Sequence, residues 1–463
     1  MGSKTAYSSK TMTNIYMIRR RRWANVGAVY LLLLIFSIGF MGPFLFAALS
    51  SLKDDPLEWP PRITVNQLKL SNWIAAYKLG KAGGGGGFFG AFAPGAVVPF
   101  EVTYKVAPGK EPVVPEVVIP RRIPGSAAAA LLLKEFAADY AEVSEIKEVE
   151  REVLEDGSTL VTYRFEIRHT GDIVIDRLPL DITVPFKQIF VKGTLDPNRI
   201  ERLGRVQSWD NITSGVIPYI FHNYHRVFSE NYSRSTGKNL FMSWIFNSFY
   251  LAFVRVITTL LFASMAGYAL ARLKFAGKNT IFVFMLFSMM IPGQVTFISN
   301  YLVLRDGIFG ISKLFGMDSL LNTYTGLIIS GLVGASAVFI MKQFFEGLPV
   351  SLEESARIDG ANTYQIFFKI MLPLAKPALG ALTILTFQGV WNEFFWPLVV
   401  LTSPQDKFTL TLGLLNFRQT YAVAFDWGPM LAGAIISALP IIILFIVFQK
   451  YFIEGISFTG IKG

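Results

Sequence analysis

Long apolar runs alternate along this chain with polar stretches rich in glycine and proline. Six runs, at about 25–49, 241–270, 280–304, 322–344, 378–401 and 429–452, are long and apolar enough to be membrane helices, since about 20 such residues cross a bilayer core. Few charges interrupt them, as the cost of an ion in lipid requires. Between the first two runs the pattern changes. Ile146 to Arg168 alternates about Asp156-Gly157, a strong hairpin turn between apolar runs. Ile173 to Val191 predicts further strands and Ser126 to Tyr140 a helix, while Pro60-Pro61 and Gly83 to Gly87 read as flexible breakers. The expected organisation is a first span within 1–51, an outer α+β insertion over 52–240, and a membrane core over 241–463.

The first run admits a rival. Arg19 to Arg22 before an apolar stretch, with Ala48-Leu49-Ser50 behind it, also fits a secretory signal. The run is long for a signal core, and a retained first helix is expected.

Charge sets the orientation. Residues 52–240 carry 23 Lys and Arg against 23 Asp and Glu, leaving 20 against 10 elsewhere, so the +10 excess belongs to the membrane part. Arg19–Arg22, Arg272, Lys274, Lys278, Lys342, Lys369, Lys376 and Lys450 fall on one side if six spans alternate. Basic flanks stay cytoplasmic, which places both termini and residues 351–377 there. This excess needs no nucleic acid to explain it. Cysteine is absent and the three histidines, His169, His222 and His225, all lie in the insertion, so neither a disulfide framework nor a cysteine metal site is expected. No phosphate-binding loop, H-E-x-x-H or nucleophile elbow occurs. ATP and its magnesium, if used, belong to another chain.

The densest chemistry lies in Ser351 to Pro377, a polar helix–glycine–helix between spans. Ser351 and Glu354 have capping-box spacing, Gly360 suits a left-handed helix end, and Asn362 with Gln365 can cap the next helix. Pro373 and Pro377 punctuate its exit.

The run Glu353-Glu354-Ser355-Ala356-Arg357-Ile358-Asp359-Gly360-Ala361, followed by Ile370-Met371-Leu372-Pro373, resembles the EAA loop of importer permeases driven by ATP-binding cassettes, and most of all the MalG-like carbohydrate permeases. Ile291 to Val295, Trp391 to Phe394, Asp426-Trp427-Gly428 and the Gly455 to Gly463 tail are similar too, so that the likeness spans roughly 14–77 and 224–463. Residues 78–223 depart from it. The resemblance implies a type I permease fold, an all-α membrane protein of six spans. It also implies a second, MalF-like permease, a cytoplasmic ATPase dimer, an extracytoplasmic solute-binding protein, a carbohydrate substrate, and a multi-pass place in the cell membrane. Coupling to the ATPase falls on Glu353, Glu354, Ser355, Ala356, Asp359, Gly360, Ala361 and Pro373, with Ser355 where the motif commonly has alanine. The tail is expected to reach between the ATPase subunits.

Within the spans, Glu393 and Arg255 are the ionisable groups to explain. Asn392 and Glu393 can bond sugar hydroxyls or glue helices together. Pro292-Gly293 breaks the third run and puts Gln294 and Asn300 near a translocation path, because irregular backbone in a membrane is tolerated beside a cavity. Trp391, Trp396 and Trp427 suit sugar stacking or interfacial anchoring. The rivals are an ion-coupled secondary transporter, which wants repeats and more buried acids, and a membrane-anchored receptor or enzyme working through 52–240.

Overall fold

A computed structural model describes residues 4–53, 64–120, 140–184, 187–201, 204–233, 235–423 and 427–457. The helix expected over Ser126 to Tyr140, the Pro60-Pro61 breaker and the end of the tail lie outside them.

Helix α1 (Lys4–Ser50) runs without a break through Ala48 and leads to a neck. There Ser51 Oγ meets Tyr224 Oη at 2.8 Å, and Asn223 Nδ2 donates to Ser51 O and Lys53 O at 2.9 and 2.8 Å. Ser50 and Ser51 are buried, while Ala48 is half-buried and Leu49 exposed.

Beyond α2 (Leu70–Ala82) the chain builds two antiparallel sheets. The strands are β1 (Val97–Val106), β2 (Glu116–Val118), β3 (Ala141–Val143), β4 (Lys147–Val153), β5 (Thr159–His169), β6 (Leu180–Thr183), β7 (Gln188–Gly193), β8 (Arg199–Glu201) and β9 (Val206–Trp209). One sheet has the order β3-β5-β1-β7 with β4 also on β5, and the other β2-β6-β9-β8. In β1 and β5 every second residue points inward, and the register aligns Val98 with Ile167, Phe100 with Phe165, and Tyr104 with Val161. These buried pairs are the unit of sheet stability. Phe100 meets Trp209 of the facing sheet edge-on at 5.3 Å, which closes a sandwich core. The Asp156-Gly157 hairpin forms as expected, with Gly157 at φ 74°. Its first strand, β4, is exposed on both faces, so Val149 and Val153 are not core residues.

The glycine run is not the flexible linker its composition suggests. A Cβ at Gly85 would strike Ala91 N, one at Gly87 the Tyr77 ring, and one at Gly90 the backbone of Gly215. A Cβ at Gly80 would lie 2.9 Å from Gly215 Cα. Glycine is needed here because backbones meet at contact distance.

After α3 (Val216–Ile220) and α4 (His222–Ser229), the membrane part begins with α5 (Leu240–Arg272). It continues through α6 (Lys278–Met290), α7 (Gly293–Arg305), α8 (Tyr324–Ile329) and α9 (Ala335–Glu346). Then follow α10 (Ser351–Ile358), α11 (Thr363–Leu374, with a π turn over Phe367–Met371), α12 (Lys376–Trp391), α13 (Phe395–Val400), α14 (Leu410–Val423) and α15 (Gly428–Ser457). Among the described residues three apolar stretches are single helices long enough to cross a bilayer: Asn25–Ser50, Leu240–Arg272 and Gly428–Gln449. The 280–304 run bends by 103° at Ile291-Pro292, where proline removes a helical hydrogen bond, and α11 meets α12 at 74°. The run expected over 322–344 is not one helix either: it breaks at Ser330 to Gly334, between two glycines.

A chain of ion pairs runs from the sandwich to α4, and Arg177–Glu230 is the pair among them that crosses. Arg177 reaches Asp210 and Glu230 at 3.5 and 3.2 Å, Arg199 reaches Asp210 at 3.4 Å, and Arg226 reaches Glu230 at 2.8 Å.

Candidate functional site

Two places gather the polar chemistry of the membrane part: the segment 351–377 and a cavity among α5, α8, α9, α12 and α13.

In the segment, α10 does not begin as its sequence suggests. Val350 is already helical at φ −66° and ψ −30° and makes no side-chain cap, so Ser351 lies inside the first turn and the Ser351–Glu354 box does not form. The second box does: Asn362 Oδ1 accepts from Gln365 N and Gln365 Oε1 from Asn362 N, each at 2.9 Å. Gly360 takes φ 80° between the helices, the left-handed turn expected of it.

Residues three apart share a helix face, and α10 sorts itself accordingly. Glu353 and Ala356 are buried. Glu353 Oε1 lies 3.2 Å from Arg272 Nε at the end of α5. Arg272 also donates to Phe345 O and Leu348 O at the end of α9. Ala356 joins Tyr268, Phe345, Ile366 and Phe367 in one apolar cluster. Thus α10 and α11 are bolted to α5 and α9, and Glu353 and Ala356 serve that joint. Glu354, Ser355, Asp359, Gly360 and Pro373 are exposed and Ala361 is half-buried. Two large apolar side chains stand beside them, Ile358 at 86% and Tyr364 at 73% exposure. Sequence reasoning passed over both, although Ile358 follows Glu354 at i+4 and so shares its outward face.

The cavity holds about 410 Å³. Its polar lining includes Arg255 and Thr259 of α5, Ser330 and Ser336, Thr386 of α12, Glu393 and Thr409. Arg255 Nη1 donates to Leu327 O at 3.2 Å, and Nε is buried without a hydrogen-bond partner. Glu393 Oε1 accepts from Trp396 N at 3.3 Å, and Trp396 Nε1 donates to Ser330 Oγ at 2.7 Å. Asn392 to Phe394 is the break between α12 and α13, which frees Glu393 from a helical face. Of the residues expected along a path, Glu393 lines the cavity. Gln294, Asn300 and Asn392 are exposed and do not line it. Trp391 is a core residue, 2% exposed, with its indole N–H on Ser437 O at 2.9 Å. Arg255 had no assigned neighbour in the sequence; a lone arginine in a span facing a glycine-flanked break was the available signal. Among the described residues no group of three or more His, Asp or Glu could hold a metal ion.

Residues 241–457 match the family of binding-protein-dependent transport system inner membrane components. The arabinooligosaccharides transport system permease protein AraQ of Halalkalibacterium halodurans is 43% identical over 228 residues, 49% of this chain and 77% of that protein. Its namesake in Bacillus subtilis is 40% identical over 243 residues, covering 52% and 79%. Among solved structures, a bacterial ABC transporter that imports the acidic polysaccharide alginate has a chain 30% identical, covering 52% of this chain and 82% of its own, with a TM-score of 0.42. The chain belongs to this family, as a MalG-like permease subunit of a carbohydrate ABC importer. It is a multi-pass membrane protein and a transport subunit rather than an enzyme.

Proposed function

We propose that this chain forms one half of the translocation path of an ATP-driven oligosaccharide importer, with a type I fold of six spans and both termini in the cytoplasm. The arabinooligosaccharide systems of its relatives support the substrate class. What carries the reading is the two-sided build of 351–377: one face bolted to α5 and α9, the other presenting Glu354, Ser355, Ile358, Asp359 and Tyr364. A face that is rigidly held from behind and open in front suits a groove of an ATPase subunit. The ATPase dimer supplies ATP and magnesium on separate chains, a MalF-like permease supplies the other half of the path, and a solute-binding protein delivers sugar to the outer side. Glu393 faces that path from the cavity, and Gln294, Asn300 and Asn392, exposed outside the cavity, face it where the second permease completes it. ATP shifts the assembly between states only through a difference in affinity for them, and the segment 351–377, held by Arg272 from behind, carries that difference to α5.

Affinity co-purification from the native membrane in mild detergent is expected to recover a second permease and an ATPase. Recovery of this chain alone, where other complexes survive, would refute the reading. Glu354→Lys and Gly360→Pro should leave the chain inserted and uncouple ATP hydrolysis from uptake. Proline cannot adopt the φ of 80° found at Gly360. Coupled uptake at the normal rate in both variants would remove the segment from the mechanism.

A further inference from the structure

We infer that the cavity of this chain is itself a saccharide subsite, in which Arg255 and Glu393 bracket a vicinal diol of an uncharged sugar. The inference rests on the permease reading above and deepens it.

Arginine is a donor-only fork and an ionised carboxylate an acceptor-only one. A sugar diol is both donor and acceptor at each oxygen, so it can satisfy the two at once. Both groups line one cavity. Yet they do not close on each other. Arg255 holds Leu327 O and leaves its buried Nε unused, while Glu393 holds Trp396 N. An ionisable pair kept apart inside a span has bonds to give to something that passes between.

The rest of the lining agrees. Thr259, Ser330, Ser336 and Thr386 add hydroxyls, and Leu382, Leu385 and Val390 give apolar walls suited to sugar C–H faces. Trp396 is held by its bond to Ser330 Oγ, so its ring stands as a fixed wall. The net charge of the site decides the ligand class. One cation and one anion cancel, so a uronate or phosphate would meet Glu393 as well as Arg255, and an uncharged saccharide is favoured. Gly331 makes room for the fork, since a Cβ there would overlap the Arg255 guanidinium.

The test uses the complete importer complex, purified with its binding protein and reconstituted in liposomes. ATP-dependent uptake is measured with labelled arabinotriose, maltotriose and diacetylchitobiose, and with alginate trisaccharide and glycerol phosphate as anionic probes. Arg255→Gln and Glu393→Gln should each raise KM for an uncharged probe by about tenfold or more, the loss of one charge-assisted hydrogen bond, with kcat much less changed. Gly331→Ala, which displaces the fork without removing it, should raise KM in the same direction; it also decides the matter if Arg255→Gln fails to assemble. Wild-type KM in the assembled variants would overturn the subsite while leaving the permease function standing. Uptake by the wild type of the anionic probes alone would overturn the uncharged-ligand assignment. Uptake of no probe by a complex that still hydrolyses ATP would remove the carbohydrate path and the subsite with it.

Discussion

The β-sandwich and the membrane part solve the burial problem in opposite ways. The sandwich is closed: Phe100, Tyr104, Tyr163, Phe165, Ile167 and Trp209 are almost fully buried between its own two sheets. The membrane part is open. The apolar window of α1 is wholly exposed, and large apolar side chains stand out along α5, α6, α7 and α15. Apolar surface drives folding when water would otherwise cover it, so the first region finds its solvent boundary within one chain. The second needs lipid and other subunits to supply it. The lesson concerns what one chain can show: a finished core explains itself, and an unfinished one points to what surrounds it.

The largest effect that would sharpen this contrast is Trp209→Ala. Emptying a buried aromatic site costs about 3–5 kcal/mol, which should unfold the sandwich while α5 to α15 remain inserted. Proteolysis of the full-length protein should then cut within 97–209 alone; simultaneous loss of the membrane part would show the two regions to be one folding unit. Glu230→Ala comes next. Glu230 joins Arg177 of the sandwich to Arg226 of α4, and removing one partner from a buried ion-pair network costs about 3 kcal/mol. Hydrogen exchange should quicken at the neck and leave the centres of β1 and β5 protected; unchanged exchange at Val216–Ser229 would show the network to be incidental.

The smallest effect separates surface electrostatics from core. The Lys105 ammonium at 2.6 Å, then the Ser158 hydroxyl and backbone N–H, hold the Asp156 carboxyl well below the usual carboxylate range. A depressed folded-state value stabilises at neutral pH, and that contribution is lost as pH falls below the ordinary range and through the folded-state value. Both groups are solvated, so the gain is small. Lys105→Met should therefore lower the melting point of the sandwich slightly at neutral pH and leave it unchanged at acid pH, which flattens the acid limb; a large drop at neutral pH would contradict this.

Local chemistry was legible wherever few residues decide the outcome. Asp156-Gly157, Gly360 and the Asn362–Gln365 box each act through neighbours in sequence, and each stands where the residues place it. Ser351 misled because Val350 was free to turn helical first, which no capping pattern records. The glycine run misled for a different reason: five glycines look alike whether solvated or pressed against Gly215 and the Tyr77 ring. Glu393, Arg255 and Trp396 could be picked out singly, but not as the walls of one cavity, since they meet Ser330 only after several helices have packed.

The contact of Gly80 with Gly215 has a bearing on how the chain is assembled as a gene product. Departure and return occur at one point, so the sandwich module adds its residues without lengthening the path from α1 to α5. Loop-closure entropy grows slowly with length and is offset within the module by its own core. The spacing of the spans is therefore set by the point where the two glycines meet and not by the number of residues between them.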